Sequence, residues 1–269
     1  MTLFLSRRRF IGSIGASCCL WDRFTARLLA DVPTGAKLSE TAGRGRRFLE
    51  TLFDPAFDLL PEYRGANVYW LYHDNYLAAK VLADKNPELA RKIKAAIRSF
   101  DVDHSGKIEI LFGEAKKPLP FRQYDLIDVR RIQDKIVKTE VVKDTILRGW
   151  EAYADLQFLA AIAETDPQKA RRNLDDGLRM WDGTGFDDPA TKTLRRYAAY
   201  KLALALIAAE KLKVALDQRS AIVEQLLAQQ EKDGGWITDY DSQRKPVGLA
   251  NVETTCLCIL ALEAVAKAE

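Results

Sequence analysis

After roughly the first thirty positions, apolar residues recur along most of the chain at spacings of three and four, the pattern of helices that bury one stripe. The spacing predicts helices near 38–53, 66–84, 87–100, 145–164, 167–181, 190–212, 215–231 and 247–268. Short breaks join them in antiparallel pairs. Lys85-Asn86-Pro87 and Asp166-Pro167 each place proline in the first turn of the next helix, where its missing N–H costs little. Alternate helices differ in kind. Segments 87–100 and 167–181 carry Lys, Arg and Asp along one face, whereas their neighbours are polar and aromatic at the N-terminal end and nearly all apolar afterwards. That contrast predicts an inner set of buried helices and an outer, amphipathic set. The stretch 105–143 departs from the pattern: Lys107–Phe112, Tyr124–Val129 and Lys135–Val142 are short, β-branched and partly alternating, with Gly113, Pro118 and Pro120 between them. It predicts a β-ribbon inserted between two hairpins. The expected fold class is all-α, with about four α/α hairpins in a single domain over 31–269.

The N-terminal ends of the inner helices form a weak internal repeat: Tyr72-His73-Asp74, Tyr153-Ala154-Asp155, Tyr197-Ala198-Ala199-Tyr200 and Asn251-Val252-Glu253-Thr254-Thr255, each running into an Ala/Leu-rich segment. Repetition of this kind marks stacked hairpins.

Charge changes the picture mainly at the N-terminus. The formal net charge is +3, but residues 1–30 hold five arginines (Arg7, Arg8, Arg9, Arg23, Arg27) against Asp22, a local +4 that leaves the remainder near −1. The basic excess belongs to that segment, so no nucleic-acid partner is expected. Ser6-Arg7-Arg8-Arg9-Phe10-Ile11-Gly12, followed by the short apolar run Ile11–Leu20, resembles a twin-arginine export signal. The resemblance implies export to the periplasm or beyond, with cleavage after Ala30 or lipidation at Cys18 or Cys19. No later stretch approaches the 18 uninterrupted apolar residues of a membrane span. Cys256 and Cys258 sit two apart in an apolar helical run, pointing to different faces, and read as buried thiols.

Leu226-Leu227 followed by Gln230-Glu231-Lys232-Asp233-Gly234-Gly235-Trp236 resembles the Gln-x-x-x-Gly-x-Trp repeat of terpenoid cyclases and protein prenyltransferase β-subunits. Asn251–Thr255, running into Ile259-Leu260-Ala261-Leu262, is similar to the helix that follows that repeat. The resemblance covers about the last 45 residues. It implies an α/α toroid in which Gln230 and Trp236 tie helix ends together, a structural role. Four hairpins are fewer than a complete six-hairpin barrel, which leaves the ring open, incomplete or closed by a partner. The catalytic marks of those families are not matched: Asp101-Val102-Asp103 and Leu174-Asp175-Asp176 each fail the Asp-x-Asp-Asp cluster, and His73 and His104 alone supply no zinc set. More loosely, Tyr69–Asn75 and Gly149–Asp155 are similar to the inner-helix ends of exported (α/α)-barrel glycosidases and lyases.

The candidate site therefore lies where inner-helix N-termini converge. Asp74, Glu151, Asp155 and Glu253 are the acid/base candidates, because paired carboxylates in apolar surroundings separate in pKa and divide acid from base duties. Each equally suits capping a helix start. Tyr69, Tyr72, Trp150, Tyr153, Tyr197, Tyr200, Trp236 and Asn251 are the candidates for binding a sugar, the aromatics equally suiting a core. His73 beside Asp74 invites a base reading, although adjacent helical residues diverge by about 100°. Asp101–Glu109 resembles the first nine positions of an EF-hand loop, but Phe112 stands where the bidentate Glu belongs; an ordinary turn is the alternative. Asp187 and Asp188, or Asp239 and Asp241, complete a site if their loops face it. No Gly-rich phosphate loop, Cys-x-x-Cys or paired-histidine set is present, so no cofactor or metal is assigned. The functional expectation is an exported hydrolase or lyase acting on polysaccharide or cell-envelope material. A non-catalytic toroid binding glycan, lipid or protein is the alternative, and a terpenoid-cyclase-like enzyme without the usual Asp cluster a third.

Overall fold

The computed structural model describes residues 34–102 and 107–268. The segment that resembles a twin-arginine signal and His104 lie outside the described residues, as do residues 103–106 of the loop that resembles an EF-hand. Nine α-helices occur among the described residues: α1 (Gly35–Leu52), α2 (Leu77–Leu82), α3 (Pro87–Ser99), α4 (Ala154–Ala163), α5 (Pro167–Leu178), α6 (Pro189–Leu194), α7 (Ala199–Leu212), α8 (Arg219–Ala228) and α9 (Val252–Lys267). None is long and apolar enough to cross a membrane.

The all-α expectation is corrected by two three-stranded sheets, which make the fold mixed α/β. In the first, β3 (Lys135–Ile146) lies between β1 (Val68–Trp70), parallel to it, and β2 (Arg122–Ile132), antiparallel. In the second, β5 (Trp236–Tyr240) lies between β4 (Tyr197–Ala198) and β6 (Pro246–Asn251), both antiparallel to it. The physical reason is local. Three of the buried helical runs are entered by extended chain: β1 leads through a π-helical turn (Leu71–Tyr76) into α2, β4 into α7 and β6 into α9. Of the polar, aromatic ends that read as first turns of helices, Tyr197-Ala198 and Asn251 lie in those strands, Tyr72-His73-Asp74 lies in the π-helical turn, and Asp155, Tyr200 and Glu253 lie in the helices. The ribbon boundaries also move. Ile108–Phe112 is a 3-10 turn stopped by Gly113 at φ 68, and the paired strands span 122–146 instead of ending at 143. A two-residue loop joins them, with Ile132 opposite Lys135 and Gln133 at φ 56.

The helices divide by burial. In α3 only Ala90, Ile93 and Ile97 are buried, and in α5 only Ala170, Leu174 and Gly177, single stripes at helical spacing. Asn86 caps α3 by accepting from the Leu89 N–H, and Asp166 caps α5 by accepting from Gln168 and Lys169. By contrast, α7 is buried continuously from Ala199 to Ala209, and α4 from Ala154 to Ala161. α9 packs on α1 and α7, and α4 packs on α5 and α7.

The Gln230–Trp236 segment locks α8 to α1. Gln230 Nε2 donates to the Thr41 and Gly234 carbonyls, and its Oε1 accepts from Arg44. Trp236, fully buried, donates its indole N–H to Leu226 O at 2.9 Å. Gly45 of α1 must lack a side chain, because a Cβ there would stand 2.6 Å from the Trp236 ring. Gly234 turns at φ 98 against the Arg44 carbonyl, where a Cβ would come within 2.4 Å.

Candidate functional site

The entries to the buried helices deliver polar residues to a buried place, since a helix start exposes N–H groups that only acceptors or water satisfy. The π-helical turn brings Asp74, the start of α4 brings Asp155, the start of α7 brings Tyr200 and Lys201, and the start of α9 brings Glu253. Asp74, Asp155, Tyr200 and Lys201 are buried, and Glu253 is half-buried, with its Oε1 shielded from solvent. Tyr200 registers the convergence. Its phenol is pushed far above the usual tyrosine range, first by burial and then by the negative charges of Asp155, Asp188, Glu253 and Asp239. The Cys256 thiol is raised likewise, by burial and then by Asp74 and Glu253. Asp155, Glu253 and Asp74 are thus within electrostatic reach of one neighbourhood.

Glu151 is not among them: it is exposed on the 3-10 turn before α4, where its carbonyl accepts from Gln157 Nε2 at 2.8 Å.

The most ordered part is an ion pair. Lys201 Nζ lies 2.6 Å from Asp188 Oδ2, and both side chains are at most 1% exposed. Asp188 also accepts from the N–H groups of Ala154, Ala190 and Thr191, so it caps α6 and holds the start of α4 together. Asp155, next in chain to Ala154, has its carboxyl raised above the usual range. Burial is the main cause, the Lys201 charge opposes it, and the Asp188 charge adds to it.

The aromatic candidates scatter. Tyr69 is buried, stacks on Phe57 at 4.8 Å and donates to Asp54 at 2.7 Å. Trp236 is core. Tyr72 donates to Val102 O and lines a cavity of about 380 Å³ with Ile97, Arg98, Asp101 and Val102. Tyr197 stacks on Tyr240 and donates to Asp182, and burial with that carboxylate pushes it up to about 12. Trp150 meets Phe121 edge-on and is half-buried, as is Tyr153, which feels the Asp188 and Asp155 charges. Asn251 caps α9 by accepting from Thr254 N–H at 2.9 Å.

No protein-family model matches this chain, and no curated protein matches it. The chemistry must therefore be read from the residues themselves.

His73 pairs with Glu140 of β3 at 2.8 Å, both buried. Asn75, fully buried, clasps Leu60 and Trp70 through its amide. Cys256 and Cys258 are free, buried thiols. Among the described residues no three His, Cys, Asp or Glu side chains form a metal-binding group.

Two central residues escaped the sequence reading. Lys201 had a visible signal, as the only charge between Ala199 and Ala209: a lysine in an apolar run is almost never buried without a partner. Glu140 had none, because in an alternating strand it reads as an outward-facing polar residue.

Proposed function

We propose that this chain is an exported enzyme, a hydrolase or lyase of polysaccharide or cell-envelope material, with Asp155 as acid and Glu253 as base. The observation that carries the proposal is the Asp155 carboxyl: burial raises its pKa in a neighbourhood that also holds a second, half-buried carboxylate. Two carboxyl groups in unlike surroundings can divide acid and base roles. In hydrolysis, Asp155 gives its proton to the glycosidic oxygen as the C–O bond breaks. Glu253 takes a proton from the water that bonds to the sugar carbon. Half-buried Trp150, Tyr153 and Tyr197 are the aromatics available to stack on a ring. The acid surplus suits a neutral or small-molecule ligand better than a nucleic acid, and the export segment would place the work outside the cytoplasm.

The test is release of reducing or unsaturated ends from a panel of polysaccharides and peptidoglycan fragments. Asp155→Asn and Glu253→Gln should each reduce kcat by about 10²- to 10⁴-fold while keeping the wild-type circular dichroism. Equal turnover in both folded variants would remove the assignment.

One observation favours a second reading, a binding protein without turnover. Leu126, Ile127, Ile132, Val141, Val142 and Ile146 of the β2–β3 ribbon are large apolar residues left exposed, and such patches mark docking surfaces. Saturable binding of a glycan or protein with no product would support it.

A further inference from the structure

Three buried charged side chains meet at the starts of α4, α6 and α7: Asp155, Asp188 and Lys201. They bring two acids and one cation, and buried Lys107 adds a second cation that acts on Asp155. Asp188 accepts four hydrogen bonds, from Ala154 N at 3.2 Å and Lys201 Nζ at 2.6 Å on Oδ2, and from Ala190 N at 3.0 Å and Thr191 N at 3.1 Å on Oδ1. Those four donors fill the acceptor sites of a carboxylate. The Ala154 bond also fixes the residue that precedes Asp155, so one side chain positions both the lysine and the backbone of the acid.

We infer that Asp188 and Lys201 are a positioning pair: Asp188 keeps the lysine cation to itself and thereby leaves the shared proton on Asp155. The inference rests on Asp155 being the acid of the site and supplies its control. A carboxylate out of water stays ionised where a cation and hydrogen-bond donors hold it and stays neutral where they do not. Asp188 has the four donors that stabilise an anion. Lys201 attracts the Asp155 charge and Asp188 repels it, so the proton on Asp155 answers to both. The other groups that face this neighbourhood are Tyr153 ahead of α4, Tyr200 on α7 and Lys107 before the 3-10 turn, with Glu253 of α9 and Asp239 of β5 acting through Tyr200.

The two members of the pair should then move Asp155 in opposite directions. Asp188→Asn removes the repulsion and frees Lys201 to turn to Asp155, favouring the ionised acid. Lys201→Met removes the attraction, favouring the protonated one. A purely structural role would loosen the fold in both variants without opposite titrations.

The experiment follows the Asp155 side-chain carboxyl by ¹³C NMR across pH in the full chain, the signal assigned by its loss in Asp155→Asn. The midpoint should fall in Asp188→Asn and rise in Lys201→Met, each by about one unit or more. If Lys201→Met does not fold, the double variant Asp188→Asn/Lys201→Met, which buries neither charge, replaces it and should titrate above Asp188→Asn. Midpoints that stay in place, or move the same way in natively folded variants, would overturn the inference. Because the readout needs no substrate, shifted midpoints in a chain that turns over nothing would retain the pair and discard the enzyme. Activity with unmoved midpoints would do the reverse.

Discussion

Asp155 stands in the first turn of a helix, where a negative charge is ordinarily welcome, yet burial outweighs that preference and raises its carboxyl. An unfolded aspartate titrates near 3.8. Between that pH and the raised folded value, the folded chain binds more protons than the unfolded chain. Linkage then requires stability to fall as pH rises through this window. Below 3.8 both states are protonated and the residue is neutral to stability; above the folded value the whole penalty is in place. Asp155→Asn keeps the shape and removes the charge. Its urea midpoint should exceed the wild type at neutral pH, with the gap closing as pH approaches 3.8. A gap independent of pH would show that the carboxyl is not desolvated as described. The variant proposed to abolish catalysis is thus expected to be the more stable protein, a combination that ordinary damage to the fold does not produce.

Among the elements, the buried helices were legible and their entries were not. α4, α7 and α9 are apolar on every side, so their cores survive any uncertainty of phase. Strands of two to six residues such as β4, β1 and β6 cannot establish a period of two before the helical run begins, and Val247-Gly248-Leu249-Ala250 joins the following run without a break. The Trp236–Tyr240 strand does alternate weakly, but its pairing with Tyr197 and Asn251 depends on chain far away in sequence. The structural role of the Gln230–Trp236 segment was expected only through the resemblance of its motif to a known repeat, since its partners Thr41 and Arg44 on α1 are distant in sequence. Its energetic weight follows from the burial of Trp236 against α1 and α9. Trp236→Ala should cost about 3–5 kcal/mol in urea unfolding, the range for emptying a large aromatic site. A loss under 1 kcal/mol would mean that Gly45 and Ile259 close the space.

On the scale of the described molecule, His73–Glu140 is a pair between the helical body and the β2–β3 ribbon with both partners buried. The pair joins the π-helical turn, from which Asp74 also comes, to β3. Lys135–Asp54 and Tyr69–Asp54 support the same seam nearer the surface. Nothing in a single sequence linked these residues, since ribbon register decides which strand residue turns inward. Removing one member of a buried pair costs about 3–5 kcal/mol, and His73→Ala should spend that cost unevenly. Beyond its pairing with β1, β3 carries an exposed end from Val141 to Ile146, while Lys107 over the Tyr124 ring and Arg130 over the Phe100 ring also hold the ribbon. Hydrogen exchange in 122–146 should accelerate by about 10²-fold or more while α7 and α9 remain protected, which requires the loss to fall mainly on local opening. Uniform acceleration throughout the chain would instead make ribbon and helices one cooperative unit. In that case the pair that anchors the ribbon would also hold Asp74 and the floor of the acid neighbourhood in place, and His73→Ala would weaken any turnover together with the fold.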